Sequence, residues 1–487
     1  MNFKDHIEHL KTFFTPSVKN VILLIRWLIT AVFTGLLVGA VGTLFYYAMS
    51  FVTGCRTAHP ILIYLLPFAG LLIIFLYRVS GQYNNTGTNL VLSSIQSDNH
   101  ISVKVAPLIL VSTLITHLFG GSAGREGAAL QIGGSLGDFL AQTFHFDEKD
   151  KKLMIMCGMS ACFSAVFGTP MAAAVFSMEV ISVGIMHYSA LVPCVISSLT
   201  ASMLARHFGA MPEVFPITDL PALTALTVGQ TILAAAAFAA ISVVFCIALH
   251  LSEHTYKKYI ANPYLRVFVG GLIVVLLTLL LHTNDYNGAG MPMIARCFEG
   301  SVPPWAFMMK IIFTAATLGA GFKGGEIVPS FFIGATLGCV IGPILGLPAA
   351  LCAGCGMVGV FCGVTNSPIT SLLISFELFG FEGMPYYLIT IAVSYMLSGY
   401  YGLYSSQKII YSKTRTEYID AHTHRSSIIS KGSLCFAFTV NTKNKGPQHF
   451  FTMLRPFFHI SDFFQRTYPQ SEPFIQLFCF IFLRIIH

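Results

Sequence analysis

Gly124-Arg125-Glu126-Gly127-Ala128-Ala129-Leu130 opens the stretch that decides how this chain reads. A carboxylate stands among glycines at the mouth of a glycine-interrupted apolar run, residues 127–145. Glycines let the backbone approach a ligand closely. The helix expected after them adds free N–H groups and the positive end of its dipole. A small anion and the Glu126 carboxylate would compete for that one electropositive spot. Protonation would neutralise Glu126 and release it, supplying both a gate and a proton carrier. The plainer alternative is a first-turn acid that caps its own helix. The surroundings weigh against it, because an ionisable residue at membrane depth is costly and is a functional-site hypothesis by default.

Those surroundings are membrane-like. The 487 residues are 55% apolar and 10% charged, with a mean hydropathy of +0.72. Soluble domains carry about 25% charged residues. Apolar stretches long enough to span a bilayer, roughly 17–25 residues, recur at 21–53, 61–77, 105–120, 229–250, 265–282, 304–320 and 385–403. Others are shorter, broken by glycine and adjacent: 127–145, 153–168, 171–185, 326–345 and 350–376. Broken helices at membrane depth are tolerated only where protein buries them or where they line a cavity. The fold class is therefore an all-α polytopic membrane protein with re-entrant or half-length helices.

An internal repeat fixes the organisation. Gly158-Met159, Phe163, Val166, Pro170, Ser177 and Glu179 recur 198 positions later as Gly356-Met357, Phe361, Val364, Pro368, Ser375 and Glu377. Upstream, Gly124-Arg125-Glu126 and Ile132-Gly133 match Gly325-Glu326-Ile327 and Ile333-Gly334 at an offset of 201. Each half thus carries a glycine turn, a short helix, then a proline-led helix ending at a glutamate. Repeats that aim half-helix N-termini at an anion near the midplane are the pattern of secondary transporters, where they are commonly inverted. We divide the chain into a leader (1–20), a membrane domain (21–415, repeats about 21–210 and 225–415) and a tail (416–487). The tail mixes polar runs with aromatics and is expected to be poorly ordered.

Charge and cysteine usage narrow the classes. The net charge of +7 comes without a basic groove interleaved with aromatics, so nucleic acid is not a partner. Lys4, Lys11, Lys19 and Arg26 precede or open the first span, and the loop after it offers Arg56, which places the N-terminus in the cytoplasm. No cleavable signal peptide is expected, since the first apolar run is too long. Twelve cysteines sit singly in apolar segments, and Cys352-x-x-Cys355 reads as two small apolar residues rather than a redox pair. Neither a metal site nor a cofactor is expected.

Three further runs carry chemistry. Lys323-Gly324-Gly325-Glu326-Ile327-Val328-Pro329 repeats the glycine turn in the second half. It reads as a structural turn with an early proline, or as a second site whose Glu326 handles protons or pairs with Lys323. Gly87-Thr88-Asn89 alone reads as an ordinary loop, although it also presents a hydroxyl and amide N–H groups. Gly120-Gly121-Ser122-Ala123-Gly124 fits the G-x-S-x-G nucleophile pattern, but that motif needs a preceding strand, and an apolar membrane segment stands there instead. Glu179 and Glu377 read as structural acids near the membrane surface, with a proton relay as the alternative.

Together these residues resemble the CLC family of chloride channels and anion/proton antiporters over roughly residues 20–415. The resemblance makes Glu126, within Gly124 to Gly127, the external gating glutamate. It puts Gly325–Pro329 at the G-x-F-x-P signature, with Ile327 replacing phenylalanine and Val328 beside it. Thr86–Leu90 matches the G-S-G-I-P signature loosely and puts Thr88 where the selectivity serine stands. Ile409-Ile410-Tyr411-Ser412 is similar to the segment with the anion-coordinating tyrosine, which points to Tyr411. The implied anion-binding set is Thr88, Gly124, Arg125, Gly127, Ile327, Val328 and Tyr411, with Glu326 as a second proton-handling acid.

Departures from the pattern choose a branch. Ala128 replaces the proline that usually follows the glutamate signature, and Val180 stands where chloride/proton exchangers often carry an internal glutamate. That absence is shared by chloride channels and by bacterial fluoride/proton antiporters. Gly324-Gly325-Glu326-Ile327-Val328-Pro329 and the non-serine Thr88 look more like the fluoride branch. The resemblance implies a homodimer in the lipid bilayer, without CBS domains, that exchanges a halide anion (fluoride or chloride) for protons. A passive chloride channel or a chloride/proton antiporter is the alternative. No enzyme activity is expected.

Overall fold

The computed structural model describes the backbone of residues 3–423, except Asn84 and Asp98, and side chains from Lys19 onward. Residues 424–487, most of the expected tail, lie outside the described residues. The first half is built from α1 (Phe3–Ala58), α2 (Leu66–Val79), α3 (Thr88–Gln96), α4 (Val105–Leu118), α5 (Glu126–Thr143), α6 (Glu148–Phe167), α7 (Pro170–Glu179) and α8 (Leu191–His207). The second half repeats that order with α9 (Ala225–Tyr259), α10 (Pro263–Leu281), α11 (Met291–Phe298), α12 (Ala306–Ala320), α13 (Ile327–Leu345), α14 (Ala349–Thr365), α15 (Pro368–Phe379) and α16 (Met384–Leu397).

Apolar composition decides where each helix sits. The long helices α1, α9 and α10 are apolar enough to cross a membrane. They expose large side chains such as Ile29, Leu44, Leu233 and Leu276, as a lipid-facing ring does. Helices α5, α6, α13 and α14 are buried along most of their length and form the centre. Ten-residue α7 reaches only about 15 Å at the α-helical rise, half of a ~30 Å hydrocarbon core.

Small residues let the central helices meet. A Cβ on Gly133 of α5 would strike the Gly158 carbonyl of α6, and one on Gly334 of α13 would strike the Gly356 carbonyl of α14. These pairs occupy equivalent repeat positions, so one close-packed unit is used twice. The expected single stretch 350–376 is two helices. Asn366, in the left-handed region at φ 59°, ends α14, and Pro368 starts α15. Gly168 and Pro170 make the same break between α6 and α7.

Two contacts establish that the repeats are inverted. Gly124 and Gly325 form an antiparallel bridge, each N–H donating to the other's carbonyl at 2.7 Å. Helices α7 and α15 cross with the C-terminal glutamate of each at the N-terminus of the other. Glu377 accepts from the N–H groups of Met171 and Ala172 at 2.9 and 3.0 Å. Glu179 accepts from those of Ile369 and Thr370 at 3.0 and 2.8 Å, and from the Thr370 hydroxyl at 2.6 Å. Both relations are reciprocal, as a local two-fold axis requires.

A small sheet closes the domain. β1 (Ser182–Val183) pairs in parallel with β2 (Lys408–Tyr411), and β2 pairs antiparallel with β3 (Tyr418–His422). The opening of the stretch expected to lack order is thus a strand, because it finds an unpaired edge on β2. The expected helical run 171–185 likewise ends at Glu179, where the chain turns into β1.

Candidate functional site

The Gly124–Gly325 bridge brings two helix N-termini together. Arg125 is the residue before α5 and Glu326 the residue before α13, with closely similar backbone angles. The pseudo-symmetry therefore sets a cation opposite an acid, and Glu126 opposite Ile327. A third N-terminus, that of α3, arrives with Thr88 after Gly87, whose φ of 70° suits glycine. Free N–H groups and three positive dipole ends converge where an anion is favoured.

Glu126 is fully buried. Its Oε2 accepts from the Arg125 N–H at 3.0 Å, and its Oε1 lies 3.4 Å from Arg125 Nε without a hydrogen-bond partner. The carboxylate thus folds back on its own helix start, as a cap does, while leaving one oxygen unsatisfied. Arg125 also reaches Glu213 at 3.5 Å and stacks over Tyr46, so its guanidinium is tied to acids and an aromatic face.

Gly127 marks the centre. A Cβ there would meet the Gly325 backbone at 2.9 Å, Glu326 Oε2 at 3.4 Å and Thr88 Oγ1 at 3.5 Å. Around this point Gln131 Nε2 donates to the Gly127 carbonyl at 3.2 Å and to Thr88 Oγ1 at 3.4 Å. Ile327 and Val328, buried in the first turn of α13, complete the wall. Glu326 Oε2 is buried and has no hydrogen-bond partner. The Lys323 ammonium lies over the Tyr77 ring at 4.6 Å rather than in an ion pair with Glu326.

The tyrosine that joins this group is Tyr404, not Tyr411. Tyr404 is 1% exposed, its hydroxyl has no hydrogen-bond partner, and it lies within electrostatic reach of both Glu326 and Glu126. Asn89 of α3 fixes its loop by accepting from the Ser406 N–H at 3.0 Å. Tyr411 is 45% exposed on β2, its ring against Tyr418. The local word is the same at both places, an aliphatic residue, tyrosine and serine. The distinguishing signal is Gly399, which at φ 59° follows the end of α16 and opens the loop that carries Tyr404. Gln131 and Glu213 are also absent from the sequence-derived set, since neither belongs to a recognisable motif.

The nucleophile pattern at Ser122 finds no triad. Its hydroxyl pairs with Thr314 at 3.1 Å, and His117 Nε2 donates instead to the Gly124 carbonyl at 3.3 Å. Val180, at the end of α7, is fully buried among apolar neighbours.

Residues 70–399 match the family described as "Voltage gated chloride channel". A "Chloride/fluoride channel protein" of Pseudomonas syringae pv. tomato is 36% identical over 395 residues, covering 80% of this chain and 87% of that protein. A crystal structure of a CLC-type fluoride/proton antiporter superposes with a TM-score of 0.77 at 33% identity, covering 79% of this chain and 98% of that one. A cyanobacterial Cl−/H+ antiporter shares the fold, with a TM-score of 0.67 at 18% identity over 77% of this chain and 94% of its own. With inverted helical repeats, converging helix starts and a family match over most of the membrane domain, this chain belongs to the CLC family and is a multi-pass membrane transporter or channel, not an enzyme.

Proposed function

We propose that this chain exchanges fluoride for protons across the membrane, with Glu126 as the gate that also carries the proton. One observation carries the reading. Two buried carboxylates, Glu126 and Glu326, each keep an oxygen without a protein hydrogen bond, beside the equally unpartnered Tyr404 hydroxyl. A buried polar atom left unsatisfied costs roughly 1–3 kcal/mol, and several together ask for a function. Two ionised carboxylates and a halide repel one another strongly in so dry a place. Entry of the anion therefore favours a proton on one acid, which couples the two fluxes.

Fluoride holds its water tightly, so its site must offer strong donors. Thr88, Tyr404, the N–H groups at the starts of α5 and α13, and a protonated Glu326 supply them. Gly124 and Gly127 give the anion its access to backbone, Arg125 holds the gate, and Ile327 and Val328 exclude water. Glu326 stands in for the internal acid that Val180 replaces. Support for fluoride over chloride comes from the 33% identical structure, that of a CLC-type fluoride/proton antiporter, while the 36% identical relative is named for both halides. The protein works as a homodimer with one pathway per subunit, its N-terminus in the cytoplasm.

The test is proton flux in liposomes on an imposed fluoride gradient. Wild type should pump protons and Glu126→Gln should not; pumping at the normal rate by the variant rejects the mechanism. A passive chloride channel is the second reading, since Val180 in place of an internal acid suits a channel as well as a fluoride/proton antiporter. A halide electrode and a pH dye on the same vesicles separate the two.

A further inference from the structure

Arg125 is shared between two acids. Its Nε stands 3.4 Å from Glu126 and its Nη2 3.5 Å from Glu213, while the guanidinium lies 5.3 Å over the Tyr46 ring. Glu213 lies on the segment joining α8 to α9, between the two repeats, so the pseudo-symmetry does not supply it. It lines a cleft of about 330 Å³ with Val214, Phe215, Met291, Pro292 and Ala295. One of its oxygens holds Arg125, and the other is buried without a hydrogen-bond partner.

We propose that Glu213 is a positioning residue for the gate: it holds Arg125 from the side of the cleft, draws part of the cation away from Glu126, and so sets how readily Glu126 takes a proton. A cation serving two carboxylates stabilises each less than a cation serving one. The Glu213 charge also opposes that of ionised Glu126 directly, an effect that water at the 35% exposed Glu213 side chain weakens but does not remove. The other charged or titratable groups facing Glu126 come from three elements. Tyr404 follows α16 and lies within reach of both buried acids, Glu326 precedes α13, and His117 of α4 is bonded to the Gly124 carbonyl. None of the three touches Arg125 in the way Glu213 does, so among the described residues Glu213 is the acid that couples the cleft to the gate through a shared cation.

The proposal rests on Glu126 being the proton-carrying gate, and the experiment keeps the two apart. Anion flux of the full chain in liposomes is measured against pH for wild type, Glu213→Gln, Glu213→Asp, Glu126→Gln and the double variant Glu126→Gln/Glu213→Gln. Glu213→Gln should move the pH of half-maximal flux down by roughly half to one unit, because Arg125 then serves Glu126 alone. Glu213→Asp should restore the wild-type midpoint, and Glu213→Gln should add nothing to Glu126→Gln. Glu213→Ala removes the same charge and serves if the glutamine variant does not fold. A wild-type midpoint in Glu213→Gln, with pH dependence lost in Glu126→Gln, overturns the proposal and leaves the gate standing. Wild-type pH dependence in Glu126→Gln overturns both.

Discussion

Glu179 and Glu377 cap each other's helices. Each carboxylate ends one proline-led helix and receives two backbone N–H groups from the start of the other. Hydrogen bonds to a charged group contribute roughly 1.5–3 kcal/mol each, and here they join the two halves of the chain. Glu179→Ala and Glu377→Ala should both lower the unfolding temperature in detergent. Glu179→Ala should lower it more, since Glu179 also holds the Thr370 hydroxyl. Transport per folded molecule should persist in both; loss of proton flux in a Glu179→Gln variant of normal stability would instead make this acid a relay.

The gate prediction has a sign. In the proposed mechanism Glu126 closes the site when ionised and leaves it when protonated, so anion flux should rise as pH falls. Glu126→Gln mimics the protonated form. Its flux should be flat with pH, and its proton flux should fall to the background of protein-free liposomes.

Tyr404 and Tyr411 make opposite predictions for one atom. Tyr404→Phe removes a buried hydroxyl from beside both acids and should weaken anion binding about tenfold, the value of a hydrogen bond near 1.4 kcal/mol. Tyr411→Phe changes an exposed ring on β2 and should alter affinity less than twofold. Calorimetric titration of the purified protein with fluoride measures both.

Gly334→Ala should not yield folded protein. Its methyl group would enter the Gly356 carbonyl oxygen, which is backbone and has nowhere to retreat in a close-packed interior. Gly133→Ala should fail for the same reason against Gly158. Monodispersity after extraction in detergent reports both, with Gly229→Ala, in open space on α9, as the tolerated control.

Much of this was legible in the residues. Hydropathy gave the spans, because a bilayer admits few alternatives, and the 198- and 201-residue offsets gave the two halves. Gly124–Gly127 and Gly325–Pro329 pointed to the two loops that the structure bridges. The antiparallel sense of the repeats was not legible, since matching side chains say nothing of direction; it appears only in the reciprocal bonds of Gly124 with Gly325 and of Glu179 with Glu377. Tyr404 was hidden by a local duplicate of its own word seven residues later. Glu213 was hidden because its role depends on a loop folding back over Arg125, a contact between positions 88 apart with no periodic signature.

The clasp between Gly124 and Gly325 has a mechanical consequence. It ties the start of α5 to the start of α13 by main chain at buried positions, where a lost main-chain bond costs up to several kcal/mol. The seam therefore opposes any motion in which the halves swing like hinged doors about it. The proposed gate asks for less: one carboxylate, Glu126, swinging at the start of α5 beside a seam that stays closed.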